Sequence, residues 1–182
     1  MTNAKTINAM TWNCVRLDFS EQSVREAIFR LRRQVYAEVT RMKDYQLEVL
    51  DDSANHFGIW HEASLIASIR VDKFDVFENI PYLEIIKHLD FSEYEKPFGC
   101  VRRLVVMSDF RRQGIAKALL QCGIDSARMS EIKTLLGVSI SEPIGKQMKA
   151  LGFKLLGRSR PITSGPYRGI DYLPEVLVMQ TR

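Results

Sequence analysis

The sequence has few of the residues that build a disulfide framework or a zinc site. Its 182 residues include three cysteines and three histidines. Cys14, Cys100 and Cys122 lie far apart, and no CxxC or HxxxH spacing occurs. An odd and scattered set of cysteines is typical of a protein kept in a reducing compartment. We therefore expect a cytoplasmic protein that has neither a disulfide nor a metal site.

Long apolar runs and blocks of like charge are also absent. Residues 1–12 contain no apolar segment of the kind found in secretory signals, and no stretch reaches the length of a membrane span. Lys and Arg total 26 against 22 Asp and Glu, so the net charge is +4. This scattered excess permits an anionic partner but forms no basic patch. We expect neither a membrane span nor nucleic-acid binding.

Glycine and proline are too scarce, at 10 and 6 residues, for a collagen-like or low-complexity chain. The remaining composition, 46% apolar and 26% charged, is typical of a folded protein. We interpret residues 1–182 as one domain with room for a sizeable core.

Local patterns of apolar residues predict an ordered succession of strands and helices. Apolar residues three and four apart, as at Ile28, Leu31 and Val35, predict helices over residues 24–39, 81–86, 113–129 and 143–151. β-Rich runs predict strands over residues 15–19, 56–60, 65–71, 100–107, 134–140, 153–156 and 175–179. Residues 40–55 and 159–174 are predicted as irregular segments. Hairpins mixed with crossover helices predict an α/β domain built on a mixed sheet.

The most informative segment is RRQGIAK at residues 111–117, where the third predicted helix begins. The first N–H groups of a helix have no acceptor within it and carry the positive end of its dipole, so they attract anions. Gly114 and Ala116 would let a diphosphate approach the backbone closely. An ordinary β–α turn with a solvated basic loop is the alternative. The basic residues of the turn are Arg111, Arg112 and Lys117.

The RxxGxA pattern of residues 111–116 resembles the [Q/R]-x-x-G-x-[G/A] signature of the GNAT superfamily of N-acyltransferases. The sequence KALGF at residues 149–153 is similar to that superfamily's second landmark. The resemblance implies a mixed, mostly antiparallel sheet splayed at a pantetheine-binding cleft, with helices on both faces. It also implies acyl-CoA or acetyl-CoA as the donor. The implied donor-binding residues are Leu104, Val105, Val106, Arg111, Arg112, Gln113, Gly114, Ile115, Ala116 and Lys117.

The first half of the chain resembles a narrower group, the autoinducer synthases and the related N-acyl amino acid synthases. The likeness rests on RxxxY at residues 32–36, ExxD at 48–51 and SxR at 68–70, followed by an arginine at 103. It implies a fatty acyl chain carried by CoA or by acyl carrier protein, an acidic partner. The aromatic-rich segment 74–98 would form core or wall an acyl tunnel. The implied substrate-binding residues are Arg32, Tyr36, Arg70 and Arg103.

A forked guanidinium suits the carboxylate of an amino acid acceptor. The alternative for Arg70 and Arg103 is a buried structural ion pair with Glu48 or Asp51. Those two acids are candidate catalytic residues, as are Cys100, a potential nucleophile, and Glu142, a potential base near the cleft. Cys100 stands where the narrower group has glutamate, and Met148 stands where many acetyltransferases have a tyrosine acid.

The sequence therefore predicts an N-acyltransferase that acts on the amine of an amino acid or a similar small molecule. A second hypothesis is an acetyl-CoA-dependent acetyltransferase of a small amine or peptide. A third is an acyl-CoA-binding module without turnover, because the departures at Cys100 and Met148 remove familiar acid–base groups.

Overall fold

The computed structural model describes residues 12–40, 45–163 and 173–181. Seven strands form one sheet in the order β1-β2-β3-β4-β5-β7-β6. The strands are β1 (Val15–Leu17), β2 (Asn55–His61), β3 (Ser64–Phe74), β4 (Phe98–Val106), β5 (Thr134–Ser139), β6 (Lys154–Arg158) and β7 (Glu175–Gln180). The α-helices are α1 (Gln22–Thr40), α2 (Leu83–Ile86), α3 (Ile115–Met129) and α4 (Glu142–Ala150).

Each strand and helix predicted from the apolar pattern is present, with ends that differ by up to three residues. The largest difference is in β3, which runs on to Phe74 because Asp72, Lys73 and Phe74 pair with β4. The segment predicted as irregular before β2 contains a 3₁₀ turn, Val49–Asp51. Most of the predicted loop 159–174, and most of the segment 1–12 considered for a secretory signal, lie outside the described residues.

The sheet is mixed and mostly antiparallel, as predicted, because only β4 and β5 run parallel to each other. Side chains alternate between its faces along β3. Ile69 and Val71 pack in the core under α3 and α4, whereas Arg70 and Asp72 point to the face covered by α1 and the segment 75–97. Helices therefore cover both faces. No helix among the described residues has the length and apolarity that crossing a membrane requires.

The two parallel strands separate half-way along β4. They pair from Phe98 opposite Thr134 to Val101 opposite Gly137, and beyond this point β4 continues without β5. The β3–β4 register shifts at the same level, and Arg103 has a left-handed backbone with φ 55°. A bulge of this kind bends a strand and re-aims its side chains. The last residues of β4 are therefore open on the side that faces β5.

Candidate active site at the strand splay

A cavity of about 360 Å³ lies where β4 and β5 separate. We call it the donor cavity, after the predicted donor-binding residues in its wall. It is formed by the end of β4, the turn before α3, the start of α4 and one side of α1. Its size is in the range of small-molecule sites. The predicted donor-binding and substrate-binding residues that line it are Tyr36, Leu104, Val105, Val106, Arg111, Arg112, Gly114, Ile115 and Ala116.

The turn before α3 leaves room for a ligand at its glycine. Gly114 is the N-cap residue, with a left-handed φ of 83°, and a Cβ placed there would meet no atom within 4 Å. The first bond of the helix runs from the N–H of Ala118 to the carbonyl of Gly114. The N–H groups of residues 115–117 thus have no acceptor within the helix. Free amides beside open space fit a phosphate or diphosphate.

Two side chains brace this turn from outside. Arg111 donates from Nε to the carbonyl of Val106 at 3.0 Å, and its Nη2 lies 3.4 Å from Glu38 on α1. Trp12 donates from its indole to the carbonyl of Gln113 at 2.8 Å. The guanidinium group of Arg111 is therefore already paired within the protein. The exposed side chains of Arg112 and Lys117 remain for an anion.

The open edge of β4 offers backbone groups to the splay. Met107 donates its N–H to Ile66 on β3. Because N–H groups alternate in direction along a strand, those of Val106 and Leu104 point away from β3, toward the gap left by β5. Such groups can pair with an extended amide-containing arm or donate a hydrogen bond to a carbonyl oxygen that gains charge.

A second cavity of about 620 Å³ adjoins the donor cavity. We call it the acceptor cavity. The two share four lining residues at the splay: Leu104, Ile140, Ser141 and Ile144. The acceptor cavity crosses the sheet, since Ile69 from the α3 face and Tyr82 from the opposite face both line it. Its wall is mostly apolar. The polar lining side chains are Glu48, Tyr82, Glu84, Arg102, Arg103, Ser141 and Thr163.

Beside the acceptor cavity, charged side chains meet between α1 and the sheet, and we call them the buried charge cluster. Asp51 Oδ1 lies 2.7 Å from Arg32 Nη1 and 2.8 Å from Arg70 Nη1. Glu48 Oε2 lies 2.9 Å from Arg70 Nη2, and Glu48 also pairs with Arg103. The side chains of Arg32, Arg70 and Asp51 are 0% exposed. The members are Arg32, Glu48, Asp51, His56, Arg70, Asp72, Arg102 and Arg103.

The carboxylates of this cluster are held ionised by their partners. Although burial opposes ionisation, the guanidinium groups of Arg32 and Arg70 hold the pKa of Asp51 well below its usual range. In the same way the pKa of Glu48 is lowered by Arg103 against the effect of burial. A carboxylate that is stabilised as an anion is a weak base.

His56 is the neutral member of the cluster. Its Nε2 lies 2.8 Å from the carbonyl oxygen of Asp51, and its Nδ1 lies 3.4 Å from Arg32 Nη2. A carbonyl can only accept and a guanidinium can only donate, so these partners assign the proton to Nε2. Burial, and then the charge of Arg32, lowers the pKa of His56 to about 4. The ring stacks on Phe19 with 4.3 Å between centroids.

The predicted substrate-binding and catalytic residues fall in different places. Of the three arginines, Arg103 lines the acceptor cavity. Arg32 and Arg70 are buried in contact with Asp51 and line neither cavity. Arg70 pairs with Asp51 and Glu48, and Arg103 pairs with Glu48, as the alternative describes. Arg32 pairs with Asp51 as well. Glu48 lines the acceptor cavity and is 32% exposed.

The other three catalytic candidates line neither cavity. Asp51 is enclosed in the cluster. Cys100 is buried, and its burial raises the pKa of the thiol to about 12. Glu142 is exposed and lies 2.7 Å from Lys146 on the same helix. Their catalytic roles stay predictions, and the function proposed below does not use them.

The sequence analysis missed Arg102, whereas Tyr82 belongs to the aromatic-rich segment 74–98 that was expected to form core or to wall an acyl tunnel. Arg102 lines the acceptor cavity beside Arg103, and its guanidinium lies 5.4 Å from the centre of the Tyr82 ring. Two adjacent arginines inside an apolar strand were the available signal. Strand alternation assigns neighbours to opposite faces, which conceals the joint role of this pair. Among the described residues, no three potential metal ligands converge.

The matching family model is that of the acetyltransferase (GNAT) family, which covers residues 22–148. The chain belongs to this family. It is thus a GNAT N-acyltransferase, as the two sequence landmarks predicted. The matched region contains the helix α1, the splayed strand β4 and the turn before α3.

Solved structures share this GNAT fold at low sequence identity. FeeM, an N-acyl amino acid synthase from uncultured soil microbes, is 17% identical with a TM-score of 0.69, covering 94% of this chain and 92% of FeeM. Escherichia coli ElaA is 12% identical with a TM-score of 0.68, covering 93% and 100%. An agmatine N-acetyltransferase is 13% identical with a TM-score of 0.64, covering 92% and 98%. The comparison with curated proteins gives no significant match.

Proposed function

We propose that this GNAT protein transfers an acyl group from acyl-CoA to the primary amine of an amino acid or a similar small molecule. The observation that carries the proposal is the pair of adjoining cavities, which meet at the splay of β4 and β5. One has the glycine turn before α3 in its wall, and the other is larger and mostly apolar. We expect the protein to act in the cytoplasm as a single domain.

The donor cavity supports CoA as the carrier. The glycine turn offers several free amides, with Arg112 and Lys117 beside them, and this suits the diphosphate of CoA. The phosphopantetheine of an acyl carrier protein brings a single phosphate, which would use less of the turn. The open N–H groups of Leu104 and Val106 would bind the pantetheine arm and polarise the thioester carbonyl. In the structure of the NatC complex, a related fold with a TM-score of 0.60, CoA is bound together with a Gag peptide.

The acceptor cavity supports an acyl group longer than acetyl. Its apolar lining continues past the splay into the α3 face through Ile69, Val101, Leu120 and Met148, and Val138 lines it from the opposite face. An acyl chain that entered from the donor cavity would bury its methylene groups there, and each buried methylene contributes about 0.8 kcal/mol. FeeM, an N-acyl amino acid synthase, has the same fold.

The charge of the site favours the reactive form of the acceptor. An amine attacks a thioester only when it is neutral. Arg102 and Arg103 line the cavity, and nearby positive charge lowers the pKa of a bound ammonium group. Glu48, the carboxylate at the edge of the cluster, would accept a hydrogen bond from the amine and hold it toward the splay. Positioning both reactants in adjoining cavities supplies much of the acceleration.

The test is turnover of purified protein with acyl-CoA donors from two to sixteen carbons and a panel of amines, read by mass spectrometry of the acylated product. Donors of medium or long chain should give larger kcat/KM than acetyl-CoA. Preference for acetyl-CoA would favour the small-amine acetyltransferase instead. Binding of acyl-CoA without any acylated product would favour the non-catalytic module. Acyl carrier protein loaded with the best chain tests the other carrier.

A further inference from the structure

The buried charge cluster does not balance its own charge. It contains four guanidinium groups, those of Arg32, Arg70, Arg102 and Arg103, against three carboxylates. His56 is neutral, as its partners require. At least one positive charge is thus left over among the described residues. Burial raises the pKa of the third carboxylate, Asp72, which shifts the balance further toward positive. A buried excess charge is costly unless an anion meets it.

Among these four guanidinium groups, that of Arg102 has the longest contacts with carboxylates. Arg32 and Arg70 have carboxylate oxygens at 2.7 to 3.0 Å, and Arg103 is paired with Glu48. The nearest carboxylate oxygens to Arg102 are at 3.7 Å, on Asp72, and at 3.9 Å, on Glu48. Both exceed hydrogen-bond distance. Its Nη1 is buried and has no hydrogen-bond partner.

The position of Arg102 allows a ligand to reach it. Its side chain is 15% exposed, and it lines the acceptor cavity. The centre of the Tyr82 ring lies 5.4 Å from the guanidinium carbon of Arg102, and this cation–π contact helps to position the guanidinium group. The left-handed residue Arg103 brings both arginines of the strand to this side. The exposed part of a guanidinium that has no close carboxylate suits a carboxylate anion at the cavity wall.

We propose that Arg102 binds the carboxylate of the acceptor amino acid and is the residue that selects amino acids over plain amines. The inference rests on the proposed function. Among the arginines predicted as a carboxylate clamp, Arg32 and Arg70 already serve Asp51, and Arg103 serves Glu48. Arg102 is the guanidinium of the cluster with unmet capacity at the cavity wall. Hydrogen bonds between charged groups carry discrimination of about ten- to a hundredfold.

The first experiment compares each amino acid with its decarboxylated amine: leucine with isoamylamine, phenylalanine with phenethylamine, and arginine with agmatine. Wild-type protein should show kcat/KM at least about tenfold higher for the carboxylate member of the best pair. In Arg102→Gln this ratio should fall to near one, mainly through acceptor KM. Arg102→Lys keeps the charge but loses the fork, so it should give an intermediate ratio. Arg30→Gln, on the exposed face of α1, is the matched control and should keep the wild-type ratio.

A second measurement does not depend on turnover. Calorimetry compares binding of N-decanoylglycine with binding of its neutral methylamide to wild-type protein and to both variants, each checked for folding by circular dichroism. The carboxylate should bind wild-type protein at least about tenfold tighter, and Arg102→Gln should remove that difference. Equal affinity of the two compounds for wild-type protein overturns the inference. So does a carboxylate preference that survives in Arg102→Gln.

The outcomes separate this inference from the proposed function. Acylation of amines and amino acids with equal efficiency would leave the N-acyltransferase function intact and overturn the role of Arg102. No acylated product, together with carboxylate-selective binding that Arg102→Gln abolishes, would support the anion site and contradict the proposed function.

Discussion

The neutral, buried His56 predicts a specific loss of stability on mild acidification. The pKa of His56 is lowered by burial from its ordinary value of 6.5 to about 4. Between these two values the unfolded chain binds a proton that the folded protein does not. Above pH 6.5 the ring is neutral in both states, and His56 does not lower the unfolding free energy. As the pH falls from 6.5 toward 4, the unfolding free energy should decline.

The magnitude follows from the same two values. One pH unit of difference in pKa corresponds to about 1.4 kcal/mol, so the full window is worth about 3 kcal/mol. For a chain of this length that corresponds to roughly 6–12 °C in Tm. The first structural cause is burial of the ring. The second is that another proton, at Nδ1, would face the guanidinium of Arg32, which is a donor.

The assay is urea unfolding followed by tryptophan fluorescence, at steps from pH 7 to pH 4.5, with the m-value checked at each step. His56→Gln should be less stable at pH 7 and should show a much smaller decline between pH 6.5 and 4.5. His88→Gln, at an exposed position, is the control and should keep the wild-type decline. A decline in His56→Gln as steep as that of wild type would refute the reasoning.

Three further predictions concern the turn before α3, the buried charge cluster and the buried thiol of Cys100. Gly114→Asp should weaken CoA binding by at least about tenfold, or about 1.4 kcal/mol. The reason is that it adds a negative charge, and a strained Cβ where φ is 83°. Unchanged affinity in isothermal titration calorimetry would reject the diphosphate site. Asp51→Asn should lower the unfolding free energy by about 3–5 kcal/mol, since two buried guanidinium groups lose their shared carboxylate, and a loss under about 1 kcal/mol in urea unfolding would contradict this account. The Cys100 thiol, whose pKa is raised to about 12 by burial, should resist iodoacetamide in the folded protein, and Cys100→Ala should keep its activity; rapid labelling seen by peptide mass spectrometry would argue for the nucleophile.

The sequence by itself determined the order of the strands and helices and the position of the turn before α3, because both depend on local patterns. Apolar periodicity shows directly which segments form helices and strands, and the RxxGxA sequence lies at the strand–helix junction that its chemistry needs. Gly114 is a local preference too, since glycine adopts a left-handed φ without the steric strain that a Cβ causes.

Only the tertiary structure decided which arginines are available to a ligand. Arg32 and Arg70 resemble a carboxylate clamp in sequence, but the 3₁₀ turn at Val49–Asp51 inserts Asp51 between them and uses both. Arg102 was overlooked because regular alternation would separate it from Arg103, and the bulge that brings both to one cavity lies in the pairing of β4 with the distant strand β3. Burial and pairing of charge arise from contacts between distant segments, so no local pattern in the sequence records them.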